Sequence, residues 1–376
     1  MKSKKIIISG GGTGGHIFPA IAIANALKKL DPAAEILFVG ADRRMEMEKV
    51  PAAGYKIIGL DIQGIQRKSI WKNVVFPVKL IKSLKKALEI INDFKPDAAV
   101  GVGGYASGPL LYAASLKNIP YLIQEQNSYA GITNKWLGKK AKKICVAFDG
   151  MDRFFPFDRI IKTGNPIRKE SVNIAGKHMQ ALELYKLSAF KKTILVIGGS
   201  LGAQTLNNSI MAGLNKIIAA DVQVIWQTGR VYYKGIIEKL GEDQHPDIRI
   251  KEFLNRMDLA YAAADIIISR AGAGTIAELC VIKKPAVLVP SPNVAEDHQT
   301  KNDYKPPGPL KGEFLIGYIV VPVHFILFLF FSFLYFIILC SPVRGLGGTY
   351  LSFNVANVTI ASRTQMIQKR VAIFAS

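Results

Sequence analysis

The chain has 376 residues, with 49 Lys and Arg against 28 Asp and Glu, a formal net charge of +21 and three cysteines. Its length exceeds what a single core usually organises and predicts two domains, while Cys145, Cys280 and Cys340 are too scattered for a disulfide framework or a zinc site, so a reducing compartment is expected. The excess positive charge requires an anionic partner, whether nucleic acid, an anionic membrane or phosphorylated substrates.

The chain opens with Ile6-Ile7-Ile8, a β-branched run suited to a strand buried on both faces, too short for a signal peptide. Helical spacing follows over Ile17 to Leu30, so Gly10, Gly12 and Gly15 fall on a strand-to-helix turn in the pattern G-x-G-x-x-G. Such a turn offers free N–H groups to an anion, although the pattern alone fits a plain tight turn equally well. His16 at its end is a group that mere nucleotide holding does not need.

Further strands are predicted near 35–40, 55–62, 97–104, 120–126, 143–148 and 159–164. The segment 191–210, "KKTILVIGGSLGAQTLNNSI", repeats the opening plan of lysines, apolar strand, glycine turn and helix. Strands near 194–199, 222–229, 248–254, 265–270 and 285–290 follow it, and this alternation predicts parallel α/β sheets in both halves. The hinge is expected at Gly164 to Ser171.

Between Arg67 and Lys86 stand seven basic and no acidic residues, interleaved with Ile70, Trp71, Val74, Val75, Phe76, Val78, Leu80 and Ile81. Aliphatic dominance favours a membrane-interface element over an RNA surface, with Ile70, Trp71, Lys72, Val75, Phe76 and Lys79 as docking residues. No nucleic-acid partner is expected. The competing reading is an amphipathic helix packed on its own sheet.

Three more turns carry candidate chemistry. "GVGGYASGP" (101–109) and "QEQNSYAGITNK" (124–135) end strands of the first half, at the edge where open α/β sheets bind ligands. Glu125 and Asn127 there either face a ligand or cap the next helix. In "SRAGAGTIAEL" (269–279), Gly272 and Gly274 allow close backbone approach, Thr275 can cap the helix, and Glu278 either accepts both hydroxyls of a ribose or is a helix-surface partner of the dipole.

These residues resemble the MurG family of bacterial N-acetylglucosamine transferases. The resemblance rests on "GGGTGGHIFPA", "GVGGYASGP", "QEQNSYAGITNK", "GNPIR", "GGSLGA", "EFLNRM", "SRAGAGTIAEL" and "EDHQTKN", in family order up to residue 302. It implies a GT-B α/β architecture, two Rossmann-like domains (1–164 and 165–302) facing a cleft, and transfer of N-acetylglucosamine from UDP-N-acetylglucosamine to undecaprenyl-diphospho-muramoyl-pentapeptide at the cytoplasmic face of the membrane. Carried over by motif, Thr13, Gly14, Gly15, Asn127 and Arg168 would border the sugar nucleotide. Ser200 would meet the diphosphate, the main chain at Leu254 the uracil, Arg270, Gly274 and Thr275 the nucleotide, Glu278 the ribose and Gln299 the donor sugar. His16 would take the proton from the attacking acceptor hydroxyl, a task that suits a neutral imidazole at a helix N-terminus, or would serve a structural role, orienting the glycine loop or touching the acceptor diphosphate. No DxD-like carboxylate pair stands at a strand end, so no metal or other cofactor is expected, and loop amides, helix N-termini and Arg270 would stabilise the leaving UDP.

After Asn302 the chain departs from the family pattern. Leu315 to Cys340 is a stretch of 26 residues without Asp, Glu, Lys or Arg, long enough to span a bilayer. Either 303–376 tethers the chain to a membrane, or it is out-of-frame or misassembled sequence that leaves the second domain incomplete; the abruptness of the change favours the latter. Two readings from other classes compete with a transferase. A nicotinamide-dependent oxidoreductase would use Asp42 on a ribose, but leaves His16, Glu278 and the second glycine turn without roles, and a non-catalytic membrane-associated protein would bind lipid without releasing UDP.

Overall fold

The computed structural model describes residues 3–62, 76–241, 245–291 and 318–320. Contacts divide the chain into residues 1–330 and 331–376, and every described residue lies in the first unit.

The first lobe alternates β1 (Lys5–Gly10), α1 (Gly14–Leu30), β2 (Glu35–Ala41), α2 (Glu46–Ala52), β3 (Lys56–Leu60), α3 (Phe76–Phe94), β4 (Ala98–Gly103), α4 (Ser107–Leu116), β5 (Tyr121–Glu125), α5 (Ile132–Gly138), β6 (Lys143–Val146) and β7 (Ile160–Lys162). The strands form one parallel sheet in the order β3-β2-β1-β4-β5-β6-β7. Ile7 and Ile8, adjacent on β1, are both fully buried in clusters on opposite faces of the sheet. Helices cover both faces of such a sheet, which is why its strands read as continuous apolar runs.

The second lobe contains α6 (Lys169–Val172), α7 (His178–Tyr185), β8 (Thr193–Ile197), α8 (Gln204–Ala219), β9 (Gln223–Gln227), α9 (Tyr233–Leu240), β10 (Ile248–Lys251), α10 (Met257–Ala263), β11 (Ile266–Arg270), α11 (Ala273–Ile282), β12 (Ala286–Val289) and β13 (Tyr318–Val320). Its sheet, also parallel, runs β10-β9-β8-β11-β12-β13. The edge strand β13 pairs with β12 and falls inside the 315–340 stretch. Those three residues therefore add a strand to the second sheet instead of entering a spanning helix; the remainder of that stretch lies outside the described residues. Among the described residues no helix is long and apolar enough to cross a membrane.

Strand order reverses between β1 and β4 in the first sheet and between β8 and β11 in the second. Open α/β sheets bind ligands in the crevice beyond the strand ends at such switch points. The four glycine turns singled out in the sequence follow β1, β4, β8 and β11, so the topology gathers them at these two crevices.

Candidate active site

In the first lobe the turns after β1 and β4 are tied directly, Gly11 N–H donating to the Gly103 carbonyl at 3.3 Å. A Cβ on Gly103, whose φ is +100°, would stand 2.5 Å from Cδ2 and 2.7 Å from Nε2 of His16. The imidazole therefore packs against the bare Cα of Gly103, a position that tolerates no side chain. Its Nδ1 lies 3.4 Å from Thr13 Oγ1. Thr13 precedes α1 in extended conformation, and its hydroxyl does not cap that helix.

Beneath this loop Glu46, fully buried at the start of α2, accepts Gly12 N–H at 2.9 Å and Ala41 N–H at 3.0 Å. At the end of β5, Glu125 accepts from Asn127 N–H (3.1 Å), Gly131 N–H (3.1 Å) and Asn134 Nδ2 (2.9 Å). Burial pushes the Glu125 carboxyl up from its ordinary value, and these donors pull it back down. Glu125 thus braces the loop that presents Asn127 and the entry to α5.

In the second lobe Gln227 links two expected binding elements. Its Nε2 donates to the Gly199 carbonyl at 3.0 Å and its Oε1 accepts Leu254 N–H at 3.1 Å. Gly202 and Gly229 pack so closely that a Cβ on Gly202 would stand 2.1 Å from Thr228 O, and one on Gly229 2.1 Å from Gly202 N. On α11, Glu278 Oε2 accepts the Tyr261 hydroxyl at 2.8 Å. Burial pushes the Glu278 carboxyl up, against the pull of Tyr261 and of the Arg168 charge. Tyr261, itself buried, is raised well above the usual tyrosine range by burial and by the Glu278 charge.

The two lobes meet at these loops. A Cβ on Gly14 would stand 3.2 Å from Ser200 Oγ, and α1 touches α11. The Arg168 guanidinium lies 4.2 Å from the centre of the Phe18 ring, with its Nε buried and without a hydrogen bond. Asn165 Nδ2 donates to Gln126 O (3.1 Å) in the first lobe and to Ala273 O (3.3 Å) in the second, beside the buried contact of Ala147 and Phe148 with Ala273.

The Glycosyltransferase family 28 N-terminal domain matches residues 6–146, and the C-terminal domain of that family matches residues 193–305. A Parabacteroides distasonis protein named UDP-N-acetylglucosamine–N-acetylmuramyl-(pentapeptide) pyrophosphoryl-undecaprenol N-acetylglucosamine transferase is 61% identical over 302 residues, 80% of this chain and 82% of its own. A protein of the same name from Flavobacterium psychrophilum is 53% identical over 302 residues, again 80% and 82% of the two chains. The crystal structure of Acinetobacter baumannii MurG is similar with a TM-score of 0.61 at 27% identity, covering 88% of this chain and 91% of that one. The chain belongs to the MurG family.

A Neisseria meningitidis UDP-GlcNAc 2-epimerase, at 14% identity and a TM-score of 0.62 over 88% of this chain and 92% of that one, shares the fold alone. The fold is the two-lobed GT-B architecture of the MurG family. Thr13, Gly14, Gly15 and His16 lie together at the first crevice, and Ser200, Leu254, Gly274 and Glu278 stand around the second, with Arg168 where the lobes join.

Thr275 departs from its expected local role. The N-cap position of α11 is Gly272, and Thr275 lies within the helix, because α11 begins at Ala273. Arg270 donates to the carbonyls of Val289 (3.2 Å) and Pro290 (2.9 Å), and burial pulls its pKa down from the ordinary value. Gln299, Ile70, Trp71, Lys72 and Val75 lie outside the described residues. Phe76 is half-buried at the start of α3, and Lys79 pairs with Asp61 at 3.0 Å. Glu46, Gln227 and Tyr261 were not anticipated from the sequence of this MurG-family chain. Each acts through tertiary contacts, so no local motif announces it.

Proposed function

We propose that this MurG-family chain transfers N-acetylglucosamine from UDP-N-acetylglucosamine to the lipid-linked muramoyl-pentapeptide, with inversion at the anomeric carbon. The observation that carries this reading is the pairing across the lobe junction: an imidazole seated on Gly103 in one crevice, and beyond Gly14 the loop of Ser200 in the other. The acceptor hydroxyl attacks the anomeric carbon, the bond from that carbon to the UDP oxygen breaks, and the hydroxyl proton passes to the His16 ring. The nucleotide lies in the second lobe. Leu254 N–H is already taken by Gln227, which leaves the Leu254 carbonyl for a base. Among the described residues Tyr261 alone donates to Glu278, so the second carboxylate oxygen can accept from a ribose. The diphosphate falls at Ser200 and the start of α11, where main-chain N–H groups stabilise the leaving charge without a need for a metal. Arg168 reaches the sugar from the junction, and Gln299 is assigned to the sugar by the motif alone.

In this reading 1–164 is the acceptor and docking domain and 165–302 the donor domain. The first turns of α3 expose Val78 and Ile81 (50% and 68%) beside Lys82, Lys85 and Lys86, a combination suited to an anionic leaflet at the cytoplasmic face. Its later turns bury Ala87, Ile90 and Ile91 in the lobe. The same helix therefore packs on its own sheet and offers an apolar, basic end to the membrane.

The test is UDP release with the lipid acceptor, for the full chain and for a chimera in which a family-like C-terminus replaces residues after 302. The expected outcome is UDP binding by both, with acceptor-dependent release that is faster in the chimera and lost in His16→Ala. Absence of acceptor-dependent release from both proteins would overturn the proposal.

A further inference from the structure

We propose that Glu46 is a positioning residue that fixes the first glycine loop, and through it the imidazole of His16. Glu46 is fully buried, and among the described residues no Lys, Arg or His nitrogen lies within ion-pair distance of its carboxylate. A buried carboxylate without a cation is costly, and an apolar side chain would fill the space at lower cost. What the carboxylate does instead is accept two main-chain N–H groups, Gly12 from the loop at 2.9 Å and Ala41 from the end of β2 at 3.0 Å.

The surroundings are cut to fit it. A Cβ on Gly11 would stand 2.1 Å from Glu46 Oε1, and one on Gly40 would stand 2.6 Å from its Cγ. Two glycines are thus needed for the carboxylate to reach the loop. Gly12 itself is held at φ +84°, a conformation that favours glycine.

The consequence for the loop is that two successive N–H groups point inward. Gly11 donates to the Gly103 carbonyl and Gly12 to Glu46. Gly103 is also the residue on which the His16 ring rests. The loop is therefore pinned to β4 on one side and to α2 on the other, and the ring at its end takes its place from those pins. It also follows that Gly12 N–H is not open to a pyrophosphate, which counts against the dinucleotide reading of the G-x-G-x-x-G pattern.

The kinetic arm of the test rests on the transferase reading; the spectroscopic arm does not. In Glu46→Gln the side-chain amide retains one acceptor oxygen but sets an NH2 group against the second main-chain N–H. The full chain carrying this substitution should exchange the Gly12 amide about tenfold faster or more, as a local opening would. The ring signals of His16 should move, while those of His178 and His245 stay in place. With the lipid acceptor, kcat should fall about tenfold or more, with the KM for UDP-N-acetylglucosamine changed by less than about threefold.

Gly40→Ala provides the second variant should Glu46→Gln not fold, since it displaces Glu46 from the β2 side and leaves the loop sequence intact. It should reproduce the same pattern. Unmoved His16 signals and an unmoved Gly12 amide in a folded variant overturn the proposal even if the protein proves to catalyse something else. A loss of kcat that merely tracks the folded fraction overturns it as well. Moved His16 signals with no acceptor-dependent UDP release from the unsubstituted chain would retain the positioning role and reject the transferase reading.

Discussion

Ser200 Oγ lies 3.2 Å from the point that a Cβ on Gly14 would occupy, so a hydroxyl of the second lobe looks onto bare main chain of the first. The Phe18 ring approaches the same point at 3.1 Å. Gly14→Ala therefore crowds the Ser200 hydroxyl and the Phe18 ring where the lobes meet, the place at which the proposed function has the sugar cross. We expect kcat/KM for transfer to fall roughly tenfold, about 1.4 kcal/mol of transition-state stabilisation. UDP binding to the isolated protein, measured by calorimetry, should change little. A Gly14→Ala protein with unaltered kcat/KM would contradict this.

On the proposed role of His16 as base, Gly103→Ala should disable catalysis without touching the nucleotide. Its Cβ would overlap the His16 ring, and φ at this residue is already in the region that side chains rarely adopt. The expected loss in kcat is about 10²–10⁴-fold, the contribution of a placed general base. His16→Ala added to Gly103→Ala should then lower the rate little further, and steady-state kinetics on both proteins checks it.

The Glu278 carboxyl titrates above its ordinary 4.5 because it is buried. Its contribution to stability is fully present below pH 4.5 and is lost as pH rises through the folded value, since ionisation in the buried site is disfavoured. Glu278→Gln, which cannot ionise, should therefore melt higher than the unsubstituted chain at pH 7.5, with the difference shrinking toward pH 4.5, and should bind UDP more weakly. Tyr261→Phe removes the hydrogen bond that favours the ionised form. Its UDP affinity should begin to fall at a higher pH on acidification than that of the parent, which calorimetry across pH 5 to 8 would reveal.

Gln227→Leu removes the link between the Gly199 carbonyl and Leu254 N–H while keeping the volume. The buried Leu254 N–H then loses its Gln227 partner, at a cost of about 1–3 kcal/mol, whereas the exposed Gly199 carbonyl still accepts Gly202 N–H at 3.0 Å. We expect a lower melting temperature and UDP affinity weaker by about tenfold or more, with kcat at saturating donor reduced less. Equal affinity in a stably folded Gln227→Leu would show that the link does not shape the nucleotide site.

Much of this was legible along the chain because its signals are local. Ile6-Ile7-Ile8 and Ile266-Ile267-Ile268 are runs that a doubly covered parallel strand demands, and both lie in strands with a glycine turn directly after them. Segments expected at 55–62 and 159–164 shortened to Lys56–Leu60 and Ile160–Lys162, where pairing with the neighbouring strand ends. Thr275 looked like a cap because threonine favours helix starts, yet the first turn was already set by Gly272. Tyr261 meets Glu278 from 17 residues away, and Glu46 meets Gly12 from 34. Such partners are fixed by which strands become neighbours, and no spacing rule within one element encodes that. The basic apolar segment was legible as composition, whereas the ion pair of Lys79 with Asp61 depends on α3 lying against the end of β3.

The amide group of Asn165 holds a carbonyl of each lobe, Gln126 O and Ala273 O, from a single nitrogen. Rotation about such a pivot changes distances least at the pivot and most at the far rim. Two further pairs cross between the lobes at other points, Glu48 with Arg230 at 4.0 Å and Lys49 over the Phe253 ring at 5.2 Å. A swing of a few degrees would part those pairs while the joint stays bonded. The joint therefore resists separation of the lobes independently of those further pairs, whose loss would leave the Asn165 bonds in place.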